Sequence, residues 1–291
     1  MHALAYDSIH DEIVVNSPLA QAVLFFRGAA NGEEPPVRVI QGPHTLIQGT
    51  DYDGNDKMTF DEVHGEIIIP VAGPKVLVFS RESNGDVAPL RVLAGPDTQI
   101  RGSVRGHPLV GVDPTNNLLI VGSTGGQGGG RDGDASEGGR GRGALVIFDR
   151  TASGNAKPLR VIQGPKTLLN WPTSIAVHPD RGELFVANDT NDTVTVYRTT
   201  DNGDVTPIRV LKGPRSMIKN PTGVALDLKN NELWVANFGS HSATVFPVDA
   251  AGDPAPKRVI RSGRADDPSP MLSNPHTIAY DTKRDQLLVS N

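Results

Sequence analysis

Short runs of β-branched and aromatic residues alternate along the chain with turns rich in Gly, Asp, Asn and Pro. Residues 173–211, for example, contain TSIAV, ELFVAN, TVTVYR and RVL, separated by HPDRG, DTND and TTDNGDVTPI. Four such runs with turn chemistry between them predict four antiparallel strands joined by hairpins. No stretch keeps a 3.6-residue apolar period over the length of a helix, so the pattern predicts an all-β protein.

This unit repeats. A segment of the form R-V-[IL]-x-G-P begins at Arg38, Arg91, Arg160 and Arg209, and a variant, RVIRSG, begins at Arg258. The intervals between these arginines are 53, 69, 49 and 49 residues, so the unit has about 49 residues and its third copy carries about 20 more. Four strands in a unit of this length are typical of a β-propeller blade, whose strands we label A to D from the inside outward.

Strand A starts six times, which predicts one six-bladed propeller domain over residues 1–291. One column of these strands holds small residues throughout, as expected where inner strands crowd around an axis. The column comprises Ala5, Thr59, Gly111, Ala176, Ala225 and Ala279. The sixth unit contains strands A and B alone, at residues 277–280 and 286–290, so 22 strands are visible. We expect a piece of a longer chain, a five-bladed ring with a two-stranded appendage, or a sheet edge completed by another subunit.

One unit has a family signature: NPTGVALD at 220–227, NELWVAN at 231–237 and ATVF at 243–246. It resembles an NHL-type repeat, with the pattern P-x-G-[IV]-A-[VL]-D, [IL]-[YW]-V-A-[DN] and V-x-V-[FY]. The resemblance covers essentially the whole chain and is weakest in the second blade. It implies a six-bladed propeller of the gluconolactonase- and lyase-like superfamily, with its functional surface around the central channel. Such relatives include metal-dependent lactonases, lyases and binding modules, so the fold does not choose between them.

Composition excludes several function classes. The 28 Lys and Arg against 33 Asp and Glu give a net charge of −5, which argues against nucleic-acid binding as a main role. The absence of Cys excludes thiolate zinc sites and a Cys nucleophile. No apolar run approaches the ~18–20 residues of a membrane span, and the first residues lack the layout of a signal peptide. The cellular compartment stays open.

The antiparallel order places the D-to-A connections and B-to-C turns on one face of the disc, which we call the mouth face. Its predicted ligand-binding residues are Asn170, Trp171, Asn188, Asn220, Asn237, Phe238 and Asn274. Residues that recur in most blades more often belong to the scaffold, and Asn before Pro suits the extended backbone that Pro imposes. We interpret the recurrent arginines, and the aspartates at the A–B turns, as structural for the same reason.

Departures from the repeat are better functional candidates. His2 and His276 share one column in blades one and six, and Asp56 occupies it in blade two. Two imidazoles and a carboxylate at a channel mouth can ligate a metal or act as acid and base, and the alternative is a polar rim. The loop at 51–62 offers Asp51, Asp53 and Asn55 with calcium-loop spacing, but it lacks the required Gly and flanking helices. It predicts either a partial Ca²⁺ site or an acidic solvated turn.

The extra residues of blade three form a Gly-rich insertion at 124–143, which we interpret as a flexible linker or a lid over the mouth face. Few acidic residues occupy columns that would converge on the axis. The sequence therefore favours a non-catalytic propeller that binds a partner protein or small ligand at the channel mouth. The alternatives are a metal-dependent lactonase or lyase at that mouth, and a structural subunit that self-associates through the open sixth blade.

Overall fold

The computed structural model describes residues 3–48, 57–71, 73–100, 108–123, 143–264 and 272–290. Within these ranges the regular structure is 22 β-strands and four 3₁₀ turns of three residues each. No described helix is long and apolar enough to cross a membrane. The strands form five four-stranded antiparallel sheets and one two-stranded sheet.

The strands have the following bounds. Blade 1 comprises β1 (Ala3–Asp7), β2 (Glu12–Ser17), β3 (Ala22–Arg27) and β4 (Arg38–Gln41). Blade 2 comprises β5 (Thr59–Asp61), β6 (Glu66–Val71), β7 (Lys75–Ser80) and β8 (Arg91–Ala94). Blade 3 comprises β9 (Leu109–Asp113), β10 (Leu118–Ser123), β11 (Ala144–Asp149) and β12 (Arg160–Gln163). Blade 4 comprises β13 (Pro172–His178), β14 (Glu183–Asn188), β15 (Thr193–Arg198) and β16 (Arg209–Leu211). Blade 5 comprises β17 (Pro221–Asp227), β18 (Glu232–Asn237), β19 (Ser242–Pro247) and β20 (Arg258–Ile260), and the sixth sheet comprises β21 (Ile278–Asp281) and β22 (Gln286–Val289).

The predicted β-propeller is confirmed. Of its six predicted blades, five are four-stranded and the sixth is a two-stranded sheet in the described chain. In each four-stranded sheet the strands pair in chain order. The inner strands β1, β5, β9, β13, β17 and β21 contact one another in that order, and β21 also contacts β1. The ring therefore closes through its inner strands. The described residues contain five four-stranded blades, and the two-stranded sheet takes a place in the ring between blades 5 and 1.

The core lies between adjacent sheets. Blades 4 and 5, for example, meet through a cluster that includes Phe185, Val196, Leu233 and Phe246. All six residues of β18 are buried because its sheet is covered on both faces, whereas those of β22 are exposed or half-buried. Burial of one large apolar side chain contributes about 1.5–3 kcal/mol. The outer strand of the sixth sheet lacks most of this contribution.

The column of small residues lines the ring as predicted. Ala176 pairs with Phe185 and Ala225 with Trp234 in the same register. At Gly111 a Cβ atom would lie 2.8 Å from a methyl carbon of Ile175. The inner strands are thus too close for larger side chains at this level.

The recurrent arginines hold strand D to strand B of their own blade. Arg91 makes two hydrogen bonds to Glu66, at 2.8 and 2.7 Å, and Arg209 makes two to Glu183, at 2.9 and 2.6 Å. In blade 3 the Glu is replaced by Leu118, and Arg160 donates instead to a backbone carbonyl of blade 4. These contacts are internal, which agrees with a structural interpretation.

Neighbouring four-stranded blades are joined at four regular seams by one repeated device. Parallel bridges link the outer strand of each blade to a glycine in the C–D connection of the next blade, at Ile40–Gly85, Leu93–Gly154, Ile162–Gly203 and Leu211–Gly252. After each outer strand, the Gly-Pro turn gives a backbone N–H to the Asp or Asn beside that glycine. At the seam between blades 3 and 4, the Lys166 N–H donates to Asp204 Oδ1 at 2.7 Å.

Candidate functional site

The inner strands enclose a central channel of about 430 Å³. This volume falls within the ~300–1,000 Å³ of small-molecule pockets. All six inner strands contribute to its lining, which is mainly Ala, Val, Leu, Ile, Met and aromatic residues. Lys57 and Glu62 are the charged residues of the described lining, and they flank β5 at opposite ends of the channel. The channel is therefore apolar between two charged ends.

Hydroxyl groups at the mouth end tie the inner strands together. Thr173 Oγ1 donates to the carbonyl oxygen of Pro221, and Thr222 Oγ1 donates to that of Pro275, both at 2.7 Å. Ser174 Oγ accepts a backbone N–H from the next inner strand at 3.1 Å. These hydroxyls are occupied in holding the ring, so they contribute little to recognising a ligand in the channel.

At the mouth, Lys57 from blade 2 meets His276 from the sixth sheet. The Lys57 Nζ lies 3.4 Å from the His276 Nδ1. Lys57 is 9% exposed, and its carbonyl oxygen accepts a bond of 3.0 Å from the buried Asn16 side chain. The backbone N–H of His276 donates to the carbonyl oxygen of Ser290, the residue after β22, at 3.0 Å. Hydrogen bonds therefore fix the backbone of both Lys57 and His276. The Lys57 ammonium can donate a hydrogen bond but cannot accept one. For this contact to be a hydrogen bond, His276 Nδ1 must be the nitrogen without a hydrogen, as in one tautomer of the neutral imidazole.

His276 is one of the residues predicted from the sequence, whereas Lys57 is not. The signal was present, because Lys57 is the charged member of a column two positions before the small column. The other members of that column are Ala3, Leu109, Ser174, Gly223 and Thr277. The remaining catalytic candidates, His2 and Asp56, lie outside the described residues, as do the calcium-ligand candidates Asp51, Asp53 and Asn55. The Ca²⁺ site thus stays a prediction, and so does the lid role of residues 124–142, which are also outside.

Glu62, the last carboxylate of the calcium-like loop, lies at the A–B turn end of the channel. Its two carboxylate oxygens accept from the backbone N–H and the hydroxyl of Ser8, at 3.3 and 3.1 Å. Glu62 therefore lies at the opposite end of the channel from Lys57.

Two of the predicted ligand-binding residues use their carboxamides inside the protein. Asn188 and Asn237 are fully buried. Asn188 Nδ2 donates to Val186 and Thr195, at 3.2 and 3.0 Å, while its Oδ1 accepts the Asn170 N–H at 3.1 Å. Asn237 repeats this arrangement in blade 5. Both side chains fasten the end of strand B to the D-to-A connection.

The backbone expected for Asn before Pro is wrong at Asn220. Its φ is +42°, and Trp171 at the same position of blade 4 has a φ of +51°, so both are left-handed rather than extended. The reason is a register shift at the start of β13 and β17. Hydrogen bonds hold Asn220 there, because its N–H donates to Asp192 Oδ1 at 2.7 Å and its carbonyl accepts from Phe238 at 3.1 Å. Asn274 is half-buried on the same face.

A group of possible metal ligands, Asp7, His10 and Glu12, lies on the opposite face. Arg81 is 3.3 Å from Asp7, and Arg38 forms an ion pair with Glu12, so the two carboxylates already have cationic partners. The pair of an aspartate and the residue three positions later also recurs at other A–B turns, as Asp61–His64, Asp113–Asn116 and Asp227–Asn230. We assign this group to the scaffold.

Fold and channel together define a β-propeller with a ligand-sized apolar channel and a Lys–His pair at its mouth. The sequence pattern of the family described as Lactonase, 7-bladed beta-propeller matches residues 146–291, which is half of the chain. The chain belongs to this family. The family match agrees with the propeller part of the NHL-type resemblance, and the NHL assignment itself stays a prediction.

No curated protein matches the chain. Among solved structures, the crystal structure of Raptor from Chaetomium thermophilum is similar, with a TM-score of 0.58 and 12% sequence identity over 92% of this chain. The chain spans 20% of the length of that protein. At this identity the likeness shows the fold alone.

Proposed function

We propose that the protein binds a small amphipathic carboxylate or lactone in the central channel. The polar head lies at Lys57 and His276, and the apolar part extends along the inner strands. The observation that carries this proposal is a lysine, 9% exposed, beside a histidine at the mouth of a channel whose lining is mainly apolar. A Lys ammonium makes charge-assisted hydrogen bonds to a carboxylate, and these are stronger than hydrogen bonds between neutral groups.

The lining supports an apolar ligand body. Between Lys57 and Glu62, the channel wall offers methyl, methylene and aromatic groups from residues such as Met58, Phe60 and Leu226. Removal of apolar surface from water contributes roughly 25 cal/mol per Å². A ligand with a chain of several carbons therefore gains affinity that a fully polar sugar acid does not.

The binding test uses octanoate as the probe, followed by isothermal titration calorimetry. We expect saturable binding, no comparable binding of acetate, and at least tenfold weaker octanoate binding in Lys57→Met. Lys75→Met is the matched control, because it removes an exposed lysine of the same blade and leaves the channel intact. Equal octanoate affinity in wild type and Lys57→Met, or no binding to wild type, contradicts the proposal.

Lactone hydrolysis at the same place is the second candidate, and the lactonase family match favours it. In this scheme the Lys57 ammonium turns to the lactone carbonyl and releases His276 Nδ1. The imidazole then takes a proton from the attacking water, while the ammonium stabilises the oxyanion. As the ring C–O bond breaks, the imidazolium returns the proton to the leaving alkoxide, and the product is a hydroxycarboxylate.

The hydrolysis test follows γ-octalactone by proton NMR. We expect turnover by wild type and at least a hundredfold loss in His276→Asn, with octanoate binding weakened less in that variant than in Lys57→Met. Wild-type turnover no faster than the buffer rate contradicts hydrolysis and leaves octanoate binding as the activity. An undiminished rate in His276→Asn contradicts the role given to the imidazole.

A further inference from the structure

A second cavity of about 510 Å³ opens on the mouth face at the seam between blades 4 and 5. Its walls come from the B–C turn of blade 4, the connection from blade 4 to blade 5, and the B–C turn and outer strand of blade 5. It shares no described lining residue with the central channel. The cavity is therefore a separate site, independent of the proposed function.

The cavity is positively charged. Lys212, Lys219 and Arg261 line it, together with one carboxylate, that of Asp192, so the formal charge of the lining is +2. Asp192 Oδ1 accepts the Asn220 N–H at 2.7 Å and is thus turned to the backbone. Within the described part of the chain, none of the three cations has a carboxylate partner. All three cationic side chains are exposed, so a ligand of opposite charge can reach them, and its attraction to them weakens as the salt concentration rises.

Two buried serine hydroxyls supply a hydrogen-bond donor to the cavity. Ser242 is 2% exposed and Ser240 is 9% exposed, and their oxygens lie 3.0 Å apart. One hydroxyl hydrogen lies between the two oxygens, and the other has no acceptor among the described residues. A ligand oxygen in the cavity can accept this hydrogen. In blade 4 the equivalent Thr193 hydroxyl is used internally, since it donates to Asn191 Oδ1 at 2.9 Å.

The three cations occur together at this seam and at no other regular seam. The position of Lys212 and Arg261, directly after the R-V-[IL] strand segment, is Gln41, Ala94 and Gln163 in the first three blades. The position of Lys219 is Gln48, Arg101 and Asn170 at the other regular seams, so no other seam has a cation at both positions. Since a scaffold repeats and a site breaks the repeat, three cations at one seam indicate a ligand.

The cavity also has an apolar floor. Pro214, Met217 and Ile218 line it, and the Ile218 side chain is buried. The unbranched thioether of Met217 adapts to ligands of different shape. A bare inorganic anion leaves this floor in contact with water, whereas an organic anion covers it.

We propose that this cavity binds the dianionic phosphate monoester of a small apolar alcohol. A phosphate monoester carries close to two negative charges at pH 7, which matches the lining charge of +2. Its oxygens accept hydrogen bonds from Lys212, Lys219, Arg261 and the second serine hydroxyl. Its alkyl or aryl group lies on Pro214 and Met217.

The experiment titrates phenyl phosphate into the full chain by isothermal calorimetry, with inorganic phosphate and phenol as parallel probes. We expect phenyl phosphate to bind at least tenfold more tightly than inorganic phosphate, and phenol to show no saturable binding. Lys212→Gln and Arg261→Gln introduce the residue that blade 3 carries at the same position, and each is expected to weaken binding at least fivefold. Their thermal melting points should equal that of wild type, because both side chains are exposed.

Lys166→Gln is the matched control, since it removes an exposed cation from the mouth face of blade 3 outside the cavity. We expect it, and Lys57→Met, to bind phenyl phosphate as wild type does. Three outcomes overturn the proposal: no saturable binding of phenyl phosphate, equal losses in Lys166→Gln and Lys212→Gln, or equal affinities for phenyl phosphate and inorganic phosphate. Failure of octanoate binding in the channel leaves this proposal untouched.

Discussion

The four regular seams and the closing seam, between the sixth sheet and blade 1, hold neighbouring sheets together by different means. At a regular seam, a parallel backbone bridge and an Asp or Asn side chain join the two blades. At the closing seam, Asp11 accepts hydrogen bonds from Arg284 at 2.7 and 2.8 Å, from Lys283 at 2.8 Å and from Tyr6 at 2.8 Å. The first kind relies on backbone bridges and on hydrogen bonds from the backbone to one side chain, and the second on ion pairs between side chains.

Blade 1 also has the glycine turn in its C–D connection that joins two blades at a regular seam. In the described chain no outer strand pairs with this turn. Residues 31–33 read NGE, as residues 84–86 read NGD, but the described chain has no bridge to Gly32 like the one between Ile40 and Gly85. The ion pairs of Asp11 involve side chains that water reaches, and such pairs contribute little and are screened by salt. We therefore expect the propeller to open first at the closing seam, where β21 and β22 meet blade 1.

The largest expected effect comes from breaking a regular seam with Gly164→Ala. Gly164 has a φ of +135°, and a Cβ atom there would lie 2.4 Å from the Asp204 carboxyl carbon. Backbone strain and loss of the Lys166 N–H bond to Asp204 should reduce the free energy of unfolding by roughly 2–4 kcal/mol. Denaturation by urea measures it.

Gly154→Ala is the control for this substitution. Gly154 has a φ of +60° and open space around it. Alanine at this position should cost about 1–2 kcal/mol because of its left-handed backbone, and it meets no steric clash. A cost for Gly164→Ala no larger than that of Gly154→Ala would show that the contact with Asp204 does not hold the seam.

A smaller and more local effect is expected from Asp11→Asn at the closing seam. The substitution removes the charge that Arg284 and Lys283 share, and Asn tolerates the left-handed φ of +56° at this position. We expect faster amide hydrogen exchange in β21 and β22, little change in blades 2 to 4, and a loss that shrinks as salt rises. Uniform acceleration in all blades contradicts the idea that this seam opens by itself.

The smallest effect concerns acid. Hydrogen bonds from Arg284 and Lys283 hold the pKa of Asp11 well below its usual range, and burial together with the bond to Asp11 raises the pKa of Tyr6 to about 12. A lowered folded pKa means that the stabilisation is present above the unfolded value of ~3.9 and is lost as the pH falls through the folded value.

Stability of the closing seam should therefore be unchanged between pH 7 and pH 5 and decline below about pH 4. Limited digestion with pepsin between pH 4 and pH 2 measures it, with β21 and β22 expected to be cut first. Asp11→Asn should show a shallower dependence, and a dependence should persist because the hydrogen bond from Tyr280 lowers the pKa of Asp285 on the β21–β22 turn. An equal slope in both proteins contradicts the role of Asp11.

Much of the fold could be predicted because its signals are local. Strand content, the blade unit, the small column and the two faces follow from residue period and turn chemistry, which act within a few residues of each other. The R-V-[IL]-x-G-P segment marks the repeat in the sequence. The sequence does not show why this segment contains a glycine. Gly164 is needed because Asp204, 40 positions later, packs against it from the next blade.

The candidate site was less predictable. His276 could be selected as a departure from the repeat, whereas Lys57 required attention to the neighbouring column. The pairing of these two residues, 219 positions apart in the chain, depends on closure of the ring. The cations at the seam between blades 4 and 5 were each visible in sequence, but their sharing of one cavity with two buried serines was not.

The sequence by itself determined an all-β propeller with 22 strands in repeating units, because hydrophobic period and turn residues specify strands and hairpins locally. The tertiary structure decided how the two-stranded sheet enters the ring, which asparagines are consumed as internal fasteners, and which charged residues meet. Those outcomes depend on contacts between blades, where the distance in space has no relation to the distance along the chain.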